Sequence, residues 1–516
     1  MRTTTSRFLP AAIAACLMLV VACSGGASTG PIAAAGEPVR GGTLRIAFNT
    51  DVTTLDPARC GSESWQRCQA VFGTLLERDP RTGAVTPGMA ESFTSDDGLA
   101  WTLTLRPGLT FTDGTPYDAA AVVANWERIL DPRTLSAART TAQTMRWQVL
   151  DPRTVQVTLD RPNFALPAAL EDSLGMIASP TALREKGPDF GSAPVGAGPF
   201  VLQSWQRGTQ MTLARNPGYW DQPRPYVDTL VVSTIPADDQ RVNALQVGEI
   251  DVMSTLVAEY AVRAERAGFV RTGVAPFGGT GVRMSWRNGD LADPEVRDAV
   301  AHAVDTAQIR TAFFPDEQTP DTFSPRESPF HDPAATFPAP DLATAQQKID
   351  SYLARTGKAA VRLTFKITAG VPILEQISQM LQAQLQRVRG LEMTIVPQEV
   401  GAFYGDLATG NYELLSVGVL GTDPDDLYDM FHTGAAQNTG AYSDPEVDAA
   451  LEAARAAKDP AAADAAYATA MRRLAETYAI RPWFYITGWL VAPDTVRGIE
   501  PAGSYFTRPE RIWFEG

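Results

Sequence analysis

AESFTSDDGLAWTLTLRPGLTFTDGTP, residues 90–116, is the stretch from which the fold is read. Asp97 and Gly98 form a turn between two strands expected over 91–94 and 101–105. Trp101, Leu103 and Leu105 alternate with Thr102 and Thr104, and this period of two marks a half-buried antiparallel hairpin. Outward from it, Thr43–Phe48 reads as a first strand, and 154–159 and 230–235 read as further strands. Helices are announced by a repeated device. Asp293 supplies an N-cap, Pro294 sits at the first helical position and Glu295 adds an acid to the first turn, after which Val296, Val300 and Val304 recur at i+4 spacing. The device returns at Asp444, Pro445 and Glu446, and at Asp459 and Pro460. Strands and amphipathic helices mix along the whole chain without a repeat period, so the class is α/β. Residues 315–340 hold seven prolines and read as a long irregular excursion, either a plain surface connection or a functional loop.

The chain has 516 residues, 44% of them hydrophobic, enough for about three domains at roughly 150 residues each. Its 44 Lys and Arg against 59 Asp and Glu give a net charge of -15. That balance leaves no basic surplus for a phosphate backbone, and no nucleic-acid partner is expected.

At the N-terminus, Arg2 and Arg7 precede an apolar run over 8–22, too short for a comfortable bilayer span of about 20 residues but suited to the core of an export signal. Val20, Val21, Ala22 and Cys23 resemble a bacterial lipobox, which predicts a signal peptide over 1–22 and diacylglycerol on Cys23. The alternative is an ordinary signal peptide cut near Ala22. A tether rich in Gly, Ser, Ala and Pro follows over 23–37. Of the four cysteines, Cys60 and Cys68 remain in the folded part. In an oxidising compartment they are expected to form one disulfide, closing a nine-residue loop with a contribution of about 2.5 kcal/mol, the alternative being two free thiols. On one continuous helix they would stand about 12 Å apart, beyond the roughly 7 Å a disulfide tolerates, so Cys60 is expected to fold back from a loop.

The sequence lacks a G-x-S-x-G elbow, a G-x-x-x-x-G-K-[ST] phosphate loop and an H-E-x-x-H pair, so no catalytic residues are expected. His302, His331 and His432 are scattered without metal-ligand spacing, and no metal and no cofactor are expected. The clusters Gly278, Gly279, Gly281 and Gly196, Gly198 complete no dinucleotide fingerprint and read as turns. The pair Asp425 and Asp426 reads as solvated surface or a helix start rather than as a glycosidase dyad.

A set of short segments then recurs in a known order. It comprises Gly41-Gly42-Thr43-Leu44, Thr54-Leu55-Asp56-Pro57, the hairpin stretch through Asp113-Gly114-Thr115-Pro116, Gly196-Ala197-Gly198-Pro199-Phe200 and Arg215-Asn216-Pro217-Gly218-Tyr219-Trp220. Leu245 with Gly248-Glu249-Ile250-Asp251, Val296-Arg297-Asp298-Ala299-Val300 and Tyr442-Ser443-Asp444-Pro445-Glu446-Val447-Asp448 complete it. In this order the chain resembles the family 5 solute-binding proteins of bacterial ABC importers, the peptide and nickel class. The resemblance implies an α/β, two-lobed periplasmic-binding-protein-like fold (type II, cluster C) with an extra insert domain in the first lobe. The first lobe maps to 38–72, 193–275 and 490–516, the insert to 73–192 and the second lobe to 276–489. It also implies a monomer that closes like a hinged clamp on a peptide or peptide-like organic solute and hands it to ABC permease subunits without covalent chemistry.

The same resemblance points to ligand contacts at Ser62, Ser64 and Trp65 in the first lobe. From the second lobe it points to Arg283, Met284, Ser285 and Trp286 and to the loop 417–423 with Leu420 and Asp423. Trp286 has core packing, and Arg283 surface pairing, as the competing role. The chain departs from the family at that loop. Dipeptide binders place an Asp three residues before Asp-Pro to meet the α-ammonium group, whereas here Leu420 precedes Asp423-Pro424, and Val417 replaces a nearby aromatic. Nickel-chelate binders carry an arginine in the stretch matching 173–180, and none stands there. Other solutes in the same fold are siderophores, metal chelates and oligosaccharides; from other classes, a sensory or structural lipoprotein and a secreted hydrolase compete.

Overall fold

The computed structural model describes residues 36–60, 64–79, 84–274, 277–315, 317–421, 423–502 and 506–515. The lipidation site Cys23, the signal peptide, most of the tether and Ser62 lie outside the described residues. Among the described residues no helix is long and apolar enough to cross a membrane.

Three sheets organise the chain. The first has seven strands in the order Val270–Val274, Gly488–Ala492, Val252–Thr255, Thr43–Phe48, Thr229–Thr234, Gln210–Arg215, Phe200–Gln206. Thr43–Phe48 runs parallel to both of its neighbours. Covered on both faces, it buries Leu44, Ile46, Ala47 and Phe48 almost in sequence. The second sheet has five strands in the order Leu391–Gln398, Val361–Thr368, Leu414–Gly421, Phe277–Met284, Ile480–Phe484. Here Val361, Leu363, Phe365 and Ile367 point into one core at strand spacing. The chain passes from the first sheet to the second between Val270–Val274 and Phe277–Met284 and returns between Ile480–Phe484 and Gly488–Ala492. These two crossings join the lobes of an α/β, two-lobed fold.

The hairpin of residues 90–116 belongs to a third, four-stranded antiparallel sheet ordered Ala90–Ser95, Ala100–Leu105, Thr154–Leu159, Met145–Asp151. The Asp97 carboxylate accepts from the amides of Leu99 and Ala100 at 2.8 and 2.9 Å, which holds its pKa below the usual range. Gly98 has φ +72 and packs so closely on Phe164 that a Cβ would stand 2.9 Å from the ring. Trp101, Leu103 and Leu105 fill the core of this unit with Trp126 and Val155.

The capped helices form as read. Asp293 accepts from the Glu295 amide at 2.9 Å ahead of Pro294–Ala303, with Val304 just past its end. Asp444 precedes Pro445–Ala456, and Asp459 precedes Pro460–Glu476. Cys60 follows the turn Pro57–Arg59 and is joined by a disulfide to Cys68 of the helix Trp65–Phe72, their α-carbons 6.6 Å apart. The excursion 315–340 is more than a surface connection. Phe323, Ala335 and Phe337 are buried with Phe277, Val419 and Phe431 in a core of the second lobe.

Candidate functional site

A cavity of about 1760 Å³ lies where the two lobes and the insert sheet's surroundings meet. The first lobe contributes Trp65, Phe506 and Arg508. Residues 163–169 and 171–174 form a second wall, and the second lobe supplies 423–426, Tyr428, Asp429, 434–437, Arg455 and Tyr467. The proline-rich excursion reaches the rim through Pro329, Phe330, His331 and Asp332.

Contacts cross this cleft. Arg78, on the short strand Leu76–Arg78, pairs with Glu171 at 2.9 Å and with Asp423 of the second lobe. The amide of Phe164 donates to the Arg455 carbonyl at 2.6 Å, and Arg161 pairs with Glu452 at 2.8 Å. Lys458 reaches Asp96 at 3.2 Å. Ion pairs and a backbone hydrogen bond therefore span the cleft at several points, with the cavity between them.

On the second-lobe wall, Arg455 grips Asp425 through two hydrogen bonds of 2.7 and 2.8 Å and lies over the Tyr428 ring at 3.4 Å. Burial alone would lower its pKa, and the bonded Asp425 carboxylate raises it instead. Tyr467 donates to the same carboxylate at 3.0 Å. On the opposite wall, Trp65 donates its indole N–H to the Glu171 carbonyl at 3.3 Å and stacks on Phe506 at 6.4 Å between ring centres. Its outer face is half-buried at the cavity.

The cavity is acidic, and Glu171, Asp172, Asp423 and Asp426 hold protons more tightly than free carboxyl groups do. Burial pushes Glu171 up to about 7 against the opposing charge of Arg78. Burial pushes Asp172 up to about 6. Asp423 is raised by burial despite Arg78. Asp426 is raised well above the ordinary carboxylate value, first by burial and then by repulsion from Asp423, Asp425, Asp172 and Asp429. Among the described residues no group of three or more His, Cys, Asp and Glu side chains is placed to hold a metal ion.

The residues expected from sequence divide sharply. Trp65 and Asp423 line the cavity, and Ser64 is buried beside it as the residue capping Trp65–Phe72. Leu420 pairs with Gly278 within the strand Leu414–Gly421. Arg283, Met284 and Trp286 do not line the cavity. Arg283, 7% exposed, donates to the carbonyls of Met430 and Gln437 at 3.1 Å each and so fastens the loop behind the cleft. Met284 is core, and Trp286 lies on Tyr442 at 4.4 Å with Arg297 over its other side at 3.8 Å. Arg283 and Met284 end the strand Phe277–Met284 and point to its two faces, both of them covered, and Trp286 follows the end of that strand. The reading of Asp425 and Asp426 as solvated surface or a helix start holds, since Asp425 stands at the N-cap of the helix Asp426–Phe431 and Asp426 is exposed. Both residues also line the open cleft. Arg78, Glu171, Asp172, Arg455 and Arg508 were not singled out from sequence. No motif marks them, because each is an ordinary charged residue until the lobes meet.

The sequence profile of bacterial extracellular solute-binding proteins, family 5 Middle, matches residues 84–441. The chain belongs to that family. This family 5 protein is 30% identical over 285 residues to the glutathione-binding protein GsiB of Salmonella paratyphi A, covering 54% of the chain and 55% of the relative, and the GsiB of Escherichia coli K12 matches to the same extent. The chain thus spans about half the length of the curated relatives it matches. Solved structures share the whole fold. The periplasmic binding protein DppA of Helicobacter pylori, in complex with the peptide STSA, aligns with TM-score 0.78 at 22% identity, covering 93% of this chain and 99% of that one. AgaA of A. tumefaciens R10, in complex with agropinic acid, aligns with TM-score 0.78 at 23% identity over 92% and 99%. NikA of Brucella suis, in complex with Fe(III)-EDTA, aligns with TM-score 0.75 at 24% identity over 91% and 99%.

Proposed function

We propose that this family 5 protein is the substrate-binding component of an ABC importer, which captures a peptide or peptide-like organic solute between its lobes and delivers it unaltered to membrane permease subunits. The observation that carries this reading is the cavity of about 1760 Å³ walled by both lobes and the insert. Such a volume holds a solute larger than a single amino acid, and enclosure obliges each polar group of that solute to find a partner on the wall. Closure is favoured only as far as the solute contacts both walls at once. The names of similar proteins support a solute of this size, since they include binders of glutathione, a peptide and agropinic acid.

Within the cleft we assign Trp65 as an aromatic platform for the solute and Asp423, with Arg78 and Glu171, as the polar clasp beside it. Arg283, Met284 and Trp286 support the second wall from behind. The first lobe is taken as 38–72, 193–275 and 490–516, the insert as 73–192 and the second lobe as 276–489. The protein works outside the cytoplasm, as a monomer held to the membrane through lipid on Cys23. Palmitate labelling that incorporates into the wild type and not into Cys23→Ala supports the anchor; equal incorporation excludes it.

The test of the central reading is mass spectrometry of small molecules released by denaturing protein purified from its native host, followed by uptake of the released compound in a strain lacking the gene. A single compound, bound without turnover and no longer imported by the deletion strain, is the expected outcome. Unimpaired uptake, or conversion of the compound by the purified protein, overturns it.

A further inference from the structure

Tyr428, on the helix Asp426–Phe431, lines the cavity with both faces of its ring covered. The Arg455 guanidinium lies over the ring at 3.4 Å from its centre, and the ring of His432, four residues on, stacks on it at 4.2 Å with 15° between the planes. Two groups so close to one ring centre would overlap if they shared a face, so they occupy opposite faces. The side chain cannot swing away without losing both contacts, and what it shows to the cavity is its rim, where the hydroxyl stands. That hydroxyl makes no hydrogen bond among the described residues, yet it is not one of the polar groups enclosed by protein. Tyr467 on the same wall differs, because its hydroxyl is already committed to Asp425 at 3.0 Å. The Tyr428 phenol keeps its proton at neutral pH, its pKa raised above the ordinary tyrosine value by burial, and so it can donate.

The two groups that cover the ring are fixed from both sides of the cleft. Within the second lobe, Asp425 grips the Arg455 guanidinium through hydrogen bonds of 2.7 and 2.8 Å. From the insert, the Phe164 amide donates to the Arg455 carbonyl at 2.6 Å, and Arg161 reaches, at 2.8 Å, the Glu452 carboxylate that stands 3.2 Å from His432. Phe164 and its neighbours Ala165 and Leu166 bring apolar surface to the cavity beside Arg455, where water competes poorly for a hydrogen bond. Arg455 and Arg161 are each matched by a carboxylate, and Asp426 and Asp429 add negative charge on the helix that carries Tyr428, so an anion is disfavoured there.

We infer that Tyr428 is a specificity-determining contact for the captured solute, its hydroxyl donating to an uncharged acceptor oxygen of the amide-carbonyl or hydroxyl kind, and that Arg455 is a positioning residue acting through it. The inference rests on the capture reading above and deepens it by naming a group that the solute offers at this end of the cleft. A hydroxyl held in place before the solute arrives costs little ordering on binding, and its hydrogen bond goes only to a solute that places an oxygen there. The bond from Phe164 forms when the insert meets the second lobe, so this contact is complete only in the closed form.

Calorimetry on the full folded protein tests this, with the compound that co-purifies with the wild type from its native host, identified by mass spectrometry after denaturation, as the probe. Tyr428→Phe keeps the ring and both of its stacked neighbours and removes the hydroxyl alone, so thermal melting is expected to be unchanged while affinity falls about five- to tenfold. Arg455→Lys keeps the positive charge but gives up the planar stack and the two-bond grip on Asp425. It is expected to weaken binding about threefold or more with Tyr428 in place and less than about 1.5-fold in the Tyr428→Phe background, because the two side chains act as one unit. Affinity unchanged in Tyr428→Phe, or a co-purified compound with no carbonyl or hydroxyl oxygen, overturns the inference and leaves capture standing. Equal losses from Arg455→Lys in the two backgrounds overturn the positioning role, since a merely structural arginine would act alike in both. Absence of any co-purified compound together with unimpaired uptake in the deletion strain brings down capture itself.

Discussion

Arg283 and Arg78 are both largely buried and both belong to the region where the lobes meet, but they do opposite work. Arg283 gives its hydrogen bonds to two carbonyls of its own lobe, those of Met430 and Gln437. Arg78 joins Glu171 to Asp423, which belong to separately folded parts. A bond inside one lobe is present whether the cleft is open or closed and contributes to stability alone. A bond across the cleft exists only on closure and contributes to the binding equilibrium. Residue type does not distinguish the two; the pair of elements each one joins does.

The comparison breaks most readily at Arg283. Arg283→Ala takes the donor from two part-buried carbonyls and removes the buried guanidinium from beside Phe431, and a loss of about 3 kcal/mol of unfolding free energy is expected in urea titration. Calorimetry on the remaining folded protein should show the dissociation constant for the released solute changed by less than about threefold; a larger loss would return Arg283 to the cleft. Arg78→Ala leaves Glu171 and Asp423 unpaired in the closed form. With their side chains 13% and 22% exposed, about 2–3 kcal/mol is expected, below the loss for a fully buried pair, seen as a roughly 30- to 150-fold weaker dissociation constant. An effect confined to the unfolding midpoint would make Arg78 a second Arg283.

A pH titration sharpens the same contrast. Glu171 and Asp172 bind protons more tightly when folded, with values pushed up to about 7 and about 6, so the folded state carries protons that the unfolded chain has released. The contribution of Glu171 is greatest at about pH 4 and is lost as pH rises through about 7, at no more than about 1.4 kcal/mol per pH unit, while that of the exposed Asp172 is lost earlier and is reduced by solvent screening. Thermal melting between pH 5 and 8 should show this fall in the wild type and a shallower one in Glu171→Gln; parallel curves would mean that Glu171 ionises normally. The smallest effect is expected at Arg161, whose pair with Glu452 also crosses the cleft but with side chains 75% and 48% exposed. Arg161→Ala should change affinity by less than about 0.5 kcal/mol, a factor of about two in calorimetry, because water and salt screen the pair.

Much of the architecture was legible before any coordinates. Proline after aspartate marked the helices beginning at Pro294, Pro445 and Pro460, and the alternation around Trp101 marked a hairpin whose strands extend only a residue or two beyond 91–94 and 101–105. The site was far less so. Trp65 and Asp423 reach the cavity, whereas Arg283, Met284 and Trp286 stand behind it, and the proline-rich excursion, open between a plain connection and a functional loop, buries Phe323 and Phe337.

What the residues determined by themselves is everything set within a few positions of chain: the caps, the turn at Asp97 and Gly98, the two-fold and i+4 hydrophobic periods, the charged and apolar leader, and the order of short segments that carries the family. These depend on neighbours along the backbone, so they can be read in one dimension. What only the tertiary structure decided is which carboxylates find a counter-ion and which do not. Arg78 meets Asp423 from 345 residues away, while Asp172 and Asp426 are left facing the cavity. Coulomb energy and desolvation depend on distance through space and on exclusion of water, and neither is written along the chain.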